Sequence, residues 1–397
     1  MFRSRARRYR KASIRAETVE DSSLPLLEAA AFQLGLPDAM HLGSELEAEG
    51  YFEEGLVAQW HCIHAALWRR IQDLPEPRRQ LEAWSQHPEG KIRFFAPGLW
   101  ALWGLEEPES ALDGLLPLAD DTDFRVLEAV QAFGVRPFAQ ELGPEVLPLL
   151  ASWFEHASPR VRRSAVSAVR PRGFWVKNLV WAVENPAYLA PVLEGFRLEE
   201  DRFPANSVAN GLNDISKKQP LFVLGMMQRW LEAGEGLQME HIARKGLRGL
   251  LKAGDARALA LFGFGEVDVS LDAQLKQGAV VPPNTNLQFD LQLQNQGEAC
   301  EVELVYEIET TGRNPKRPRR KKYQGGRYLV PEGEMAMRVR ERIFDRKAAP
   351  LLDGPAVTRF YLNGSLAGEV PFEVRRTTDA EGPPEGAPPQ GSSRAQP

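Results

Sequence analysis

Cysteine is nearly absent from this 397-residue chain. Cys62 and Cys300 are the whole complement, and they fall in segments of different periodicity. No disulfide framework is therefore expected, and a reducing, cytoplasmic setting fits. Apolar runs long enough to span a bilayer are missing too, so no membrane partner is expected. A global basic excess is also lacking: 49 Lys and Arg stand against 54 Asp and Glu, a net charge of −5. Any affinity for nucleic acid must then come from local patches. The sequence has no Gly-rich phosphate loop, no nucleophile elbow and no zinc-ligand spacing. His61 and His64 sit one helical turn apart beside Cys62, but a metal site needs a further ligand. Trp60 and Ile63 mark that segment as a packing helix, so no metal and no cofactor are expected.

The apolar share of 43% is enough for two or three cores. From Ser22 to Gly263 the pattern is helical. Phe52, Leu56, Trp60, Ile63, Leu67 and Ile71 recur at three- and four-residue steps, the spacing of one helix face. Asp38, Asp120, Ser158 and Asp255 stand near helix starts and are candidate caps. Breaks such as Gly143-Pro144 and Asn185-Pro186 are short. Helices this short cannot each bury an apolar face alone, and stacked pairs solve that problem. Val161-Arg-Arg-Ser-Ala-Val-Ser-Ala, Pro204-Ala-Asn-Ser-Val-Ala-Asn-Gly and His241-Ile-Ala-Arg-Lys-Gly-Leu-Arg read as equivalent helices at a spacing of roughly 40 residues, the range of HEAT repeats.

After Gly265 the period becomes two: Leu287, Phe289, Leu291 and Leu293, then Val302, Leu304, Tyr306 and Ile308, alternate with polar residues. Asn363-Gly364 is a hairpin signal. The expected architecture is mainly α: a HEAT-like α-solenoid over 22–264, then a small β-sandwich of immunoglobulin type over 265–376. Residues 1–21 are read as a basic disordered terminus, although a transit peptide or a phosphate-touching arm would share its composition. Residues 377–397, rich in Pro and Gly, are read as a disordered tail.

Chemistry concentrates in 156–230. Arg160, Arg162, Arg163, Arg170 and Arg172 form a basic cluster suited to duplex phosphates, or alternatively a solvated face with surface ion pairs. Asn206, Asn210, Asn213 and Lys217 share a helical face beside Asp214. Asn is a poor helix former, so the stripe needs a purpose: a site, or an asparagine ladder between repeats. Trp175, taken alone, reads as a core Trp more readily than as a site residue. Asn314-Pro-Lys-Arg-Pro-Arg-Arg-Lys-Lys322 is expected to be a basic loop whose Lys316, Arg317, Arg319, Arg320, Lys321 and Lys322 face DNA.

Several of these pieces resemble a known family in order and spacing. Phe133-Gly-Val-Arg-Pro-Phe138, Val161-Arg-Arg163, Arg170-Pro-Arg172 with Trp175, and Ser207-Val-Ala-Asn-Gly-Leu-Asn-Asp-Ile215 are similar to the HEAT-like DNA alkylation-repair glycosylases of the AlkC type. The resemblance extends to Lys252-Ala-Gly-Asp255 and, in the strand-rich part, to Val330-Pro-Glu-Gly333. It implies double-stranded DNA as partner, a monomer, and hydrolysis of the N-glycosidic bond of cationic alkylpurines such as 3-methyladenine and 7-methylguanine. Position by position it implies Trp175 and Asp214 as catalytic groups, and Arg162, Arg163, Arg170 and Arg172, with Asn210, as DNA contacts. Where the family pattern has two further acids this chain has Ala132 and Ser167; Glu128, one turn before Ala132, is the candidate substitute. The resemblance thus implies reduced or altered activity. Its alternatives are a non-catalytic binder of damaged or distorted duplex and a HEAT-repeat protein-interaction scaffold.

Overall fold

The computed structural model describes residues 23–173, 175–314, 317–346 and 350–376. The basic N-terminus, Lys316 and the tail from 377 lie outside them. Two compact units divide at Gly249/Leu250.

The first unit is a helical repeat. Its elements include α1 (Leu56–Ile71), α2 (Ala96–Trp103), α3 (Phe124–Ala129), α4 (Arg136–Glu141), α5 (Pro159–Ala168), α6 (Arg202–Ser216) and α7 (Met239–Gly246). The three segments that echo one another in sequence are α5, α6 and α7, and they pack in series. On α1 the expected face is buried at Trp60, Ile63, Leu67 and Ile71. Phe52 departs from that expectation. Gly55 is the N-cap, and Phe52 lies in a separate 3-10 turn with its ring half exposed. Among the described residues no helix is long and apolar enough to cross a membrane.

Helix starts show which polar residues the fold uses. Ser158 and Asp255 cap as expected, accepting from the backbone N–H groups of Arg160 and Arg257. Asp38 and Asp120 do not. Asp38 has left-handed backbone with no side-chain cap bond, and Asp120 ends a helix instead, its carboxylate accepting from Ser158 Oγ at 2.5 Å. The caps that matter are Asp123 for α3 and Asp201 for α6.

Both belong to one repeated device. Arg93 forks onto Asp121 at 2.7 and 2.9 Å and donates to the His87 and Pro88 carbonyls. Asp121 then accepts from the Asp123 N–H. Arg162 forks onto Glu199 at 2.8 Å twice and donates to the His156 and Ala157 carbonyls. Glu199 accepts from the Asp201 N–H. Each fork ties one repeat to the start of the next, and its carboxylate holds the guanidinium above its ordinary pKa.

The second unit carries two sheets. Strands β1 (Val269–Leu275), β3 (Asn286–Asn295) and β6 (Gly333–Arg342) form one. Strands β2 (Val280–Val281), β8 (Ser365–Val374), β7 (Gly354–Leu362), β4 (Cys300–Asn314) and β5 (Arg317–Val330) form the other. Leu287, Phe289, Leu291 and Leu293 on β3 meet Val302, Leu304, Tyr306 and Ile308 on β4 in a shared core. Asn363 and Gly364, both at positive φ, make the two-residue turn between β7 and β8.

One expectation fails in this unit. The described part of the basic segment is not a loop. Arg317 to Lys322 open β5, which pairs antiparallel with β4, Arg317 opposite Asn314 and Lys322 opposite Glu307. Arg320 bonds Glu309 at 2.7 Å, while Lys321 and Lys322 lie over the Tyr323 and Tyr361 rings. The strand gained acidic and aromatic partners across the ladder, which a run of basic residues punctuated by Pro315 and Pro318 does not reveal.

Candidate functional site

The site is organised by a widened turn. Between α3 and α4 the chain makes a π-type helix over Val130–Val135. Pro137 explains it in part: lacking an N–H, it cannot bond the Phe133 carbonyl, and its ring crowds that carbonyl. Gly134 fits here because an added Cβ would come within 2.9 Å of Leu115. Such turns recur at functional positions because they re-aim side chains.

The side chain re-aimed here is Arg136. It is 1% exposed and donates to the carbonyls of Ala168, Arg170, Pro171 and Lys177, at 2.9, 2.5, 3.3 and 2.8 Å. It therefore satisfies the free C-terminal end of α5 and pins the loop that follows it. Desolvation pulls its pKa down to about 10, with the Arg170 charge adding to the effect and Asp214 opposing it. Gly173 makes room: a Cβ there would lie 2.1 Å from Val176 and 3.2 Å from the Arg136 guanidinium carbon. Trp175, on the pinned loop, sits at φ +66°. That conformation costs a Trp on the order of 1–3 kcal/mol. Packing holds it there: the indole meets Trp60 edge-on at 4.9 Å and lies parallel to Phe133 at 6.2 Å.

Beyond this loop is a small cleft, lined among others by Glu128, Ala132, Arg163, Ser167, Arg170 and Asn210. Asp214, on α6, is 7% exposed. Its Oδ2 accepts from Arg170 at 2.7 Å and its Oδ1 from Lys217 at 3.2 Å. Arg248 is near enough to feel both charges: burial lowers its pKa, and Asp214 opposes that while Arg170 adds to it. Glu128 pairs with Arg163, whose guanidinium also lies over the Phe124 and Phe203 rings. Ser167 bonds Ser207, Oγ to Oγ, at 2.8 Å. Glu128 and Asp214 thus have Arg136, Arg163, Arg170, Lys217 and Arg248 for neighbours, three of them lining the cleft. Such a surplus favours an incoming anion.

The residues singled out in the sequence separate into four groups. Glu128, Arg163, Arg170 and Asn210 line the cleft, with Asp214 bonded to Arg170. Arg172 is solvent-exposed. Arg162 directs its guanidinium into the inter-repeat fork with Glu199, although it is the chain neighbour of Arg163. The β5 cations belong to the second unit. The Asn stripe divides as well: Asn206 bonds His241 and Lys245 across to α7, an inter-repeat contact, whereas Asn210 opens to the cleft. Arg136 was visible only as a letter in a motif; nothing in its local sequence marks it as buried.

A cavity of about 730 Å³ lies on the other side of the π turn, between α1, α2, α4 and Trp175. His61, His64, Phe133 and Gln140 line it, and Ala132 and Val176 are common to this cavity and the cleft. Burial drives the His64 pKa down to about 3; the nearby His61 adds to this and a Phe95 backbone hydrogen bond opposes it. This depression makes the fold acid-sensitive. An unfolded His takes a proton near pH 6.5 while folded His64 stays neutral, so His64 costs no stability above pH 6.5 and a growing amount as pH falls toward 3. By pH 5 the loss is about 2 kcal/mol, from 1.36 kcal/mol per pH unit below 6.5. Urea midpoints at pH 7.5 and 5.0 should show it, with a smaller difference in His64→Gln; equal pH dependence of the two proteins would contradict it.

No family model matches the chain. Among curated proteins it is 37% identical over 136 residues to the uncharacterized protein YhaZ of Bacillus subtilis (strain 168), a match covering 34% of this chain and 38% of that relative. Among solved structures, the fold superposes with a TM-score of 0.78 on Pseudomonas fluorescens alkylpurine DNA glycosylase AlkC bound to DNA containing an abasic site analog. That likeness covers 89% of this chain and 97% of the other at 22% identity. AlkD2 from Streptococcus mutans matches at a TM-score of 0.42 and 20% identity, over 52% and 95% of the two chains. The likeness to AlkC establishes a shared fold: a helical repeat followed by a small sheet domain.

Proposed function

We propose that this chain binds double-stranded DNA and acts in alkylation repair, as a monomer, hydrolysing the N-glycosidic bond of a cationic alkylpurine such as 3-methyladenine or 7-methylguanine. The observation that carries this reading is the buried Asp214 carboxylate, held by Arg170 and Lys217 behind a cleft that Arg170 lines and that shares Ala132 and Val176 with the Trp175 cavity. A cationic base leaves without being protonated. What the protein must supply is stabilisation of an oxocarbenium-like sugar and a placed water. Asp214 suits the first task. A phosphate drawing Arg170 away would uncover its Oδ2. The Ser167 hydroxyl suits the second, and the Trp175 face adds on the order of 0.5–2 kcal/mol of cation–π stabilisation. Arg163, Arg170 and Arg172 are the phosphate contacts in this reading.

A second reading, a non-catalytic binder of damaged or distorted duplex, is favoured by Ala132 and Ser167, which leave Glu128 paired to Arg163 as the other carboxylate of the cleft. Base release from methylated duplex separates the two: release supports the hydrolase, and binding without release supports the second. A protein-interaction scaffold predicts neither, with no affinity for duplex even at low salt.

The β5 cations allow a separate test. Replacing Arg317, Arg319 and Arg320 with Ala should weaken binding to all duplexes alike and flatten the salt dependence, by about 0.9 in the log–log slope for each phosphate no longer neutralised. An unchanged slope and affinity would remove β5 from the interface.

A further inference from the structure

We propose that the second unit holds a pocket for a phosphate monoester, built between the edge strand β5 and the stretch that follows β6. Its chemistry stands on the second unit alone; only a DNA strand end as the source of the phosphate rests on the DNA-repair reading. Three observations carry it.

The first is the lining. A pocket of about 180 Å³ is bordered by Arg319, Lys321, Arg342 and Arg346, with Tyr323 and Phe344 as aromatic walls. Ile308 and Ile343, both buried, close it on the core side. Among the described residues no carboxylate lines it. Asp345 is near enough to feel the Arg319 charge, but its carboxylate is engaged by the Leu351 N–H and by Arg376, each at 2.9 Å.

The second is how the cations are held. Elsewhere in this unit Arg320, Arg338, Arg359, Arg375 and Arg376 each grip a carboxylate at 3.0 Å or less. Lys321, Arg342 and Arg346 have no carboxylate partner among the described residues and lie over rings instead. Lys321 is 4.5 Å from the centre of Tyr323, and Arg342 and Arg346 are 5.1 and 5.0 Å from that of Phe344. A ring face steadies a cation without neutralising it, and leaves N–H donors for an oxyanion. Arg342 gives its Nε–H to the Asn284 carbonyl at 3.2 Å, which leaves its two terminal nitrogens to donate. Cations on the core-facing side of an edge strand also guard against edge-to-edge pairing. That accounts for Arg319 and Lys321, opposite Thr310 and Ile308 on β4. It does not call for Arg342 and Arg346 on the facing wall, the latter beyond the end of β6.

The third is shape and charge. The volume falls below the roughly 300–1,000 Å³ that encloses a whole small molecule, so the pocket suits a single group. A phosphodiester inside a duplex carries one charge and continues on both sides, which keeps it on a surface. A monoester carries about 1.5–2 negative charges at pH 7 and three acceptor oxygens on one tether. It can enter a recess and engage several cations at once.

The test uses the full chain and two probes. Inorganic phosphate, which has the same dianionic head, is titrated by calorimetry against chloride at equal ionic strength. Two fluorescent duplexes with an unpaired 5′ overhang are compared, one ending in a 5′-phosphate and one in a 5′-hydroxyl. Binding about tenfold tighter to the phosphorylated duplex, with or without saturation by free phosphate, assigns the pocket to a strand end. Saturation by free phosphate with equal duplex affinities assigns it to a free phosphate monoester. Either signal should be lost in Arg342→Gln and in Arg346→Gln, both at exposed positions, and kept in Arg338→Gln, which removes the same charge outside the pocket. Neither saturation nor preference overturns the proposal, as does a signal that both pocket variants retain. The two readings fail separately. Duplexes bound alike without phosphate saturation end the pocket and leave the DNA reading; phosphate saturation without duplex binding does the reverse.

Discussion

Replacing Arg136 with Met should cost about 3–5 kcal/mol of stability, as two or more buried carbonyls lose their donor. The guanidinium is the shared donor of four carbonyls spread over Ala168, Arg170, Pro171 and Lys177. Without it these acceptors must find water or remain unpaired, at about 1–3 kcal/mol for each that stays buried. The thioether fills part of the volume, so the loss reports hydrogen bonding more than a cavity. The damage should also be local. Backbone amides over 168–177 should exchange faster with solvent, because the loop that keeps Trp175 at positive φ loses its anchor. Arg136→Lys should rescue only part, since one ammonium cannot reproduce a planar fork. Denaturant midpoints and hydrogen exchange measure both effects; a loss below about 1 kcal/mol would show that the loop holds itself.

Changing Asp214 to Asn should lower alkylbase release by about a hundred- to a thousand-fold, the usual cost of losing one charge-stabilising group at a reacting centre. Affinity for duplex should hold or increase. The substitution frees Arg170 and Lys217 from their shared carboxylate, and both cations then become available to phosphate. This opposite movement of rate and binding separates a catalytic carboxylate from a structural one, since a merely structural residue would lose both together. If the unaltered protein releases neither 3-methyladenine nor 7-methylguanine, the hydrolytic reading falls and the non-catalytic binder replaces it.

Much of the architecture was legible because periodicity is a direct consequence of burial. Leu287 to Leu293 alternate because one face of β3 meets the core, and the α5, α6 and α7 segments echo because each fills the same place in a repeat. The cleft was legible only through chemistry-bearing residue types. Arg163 and Arg170 reach it, but their neighbour Arg162 does not. A one-residue step on a helix turns the side chain by about 100°, enough to exchange a cleft for an inter-repeat fork. Asp38 and Asp120 looked like caps because cap preference is a local statement, whereas Asp123 and Asp201 were selected by the forks at Arg93 and Arg162. The basic segment looked like a loop because its pairing partners, Glu307 and Glu309, are on another strand. Arg136 and the 730 Å³ cavity depend on long-range packing, for which a single segment carries no signal.

The π turn over Val130–Val135 can also be described as a matter of phase. A hydrogen bond that reaches one residue further than usual stores one residue of surplus length within a continuous helical rod. Everything beyond it, Arg136 included, is rotated relative to everything before it, Glu128 included. Taking that surplus out, by deleting a single residue of the turn, would rewind α4 by about 100° and swing its guanidinium off the carbonyls it now bridges. The two halves of the rod would each keep their own sequence and helicity. The alignment of Glu128 and Ala132 with Arg136 and the Trp175 loop would be lost, so the insertion sets the register between the carboxylate side of the site and its aromatic side.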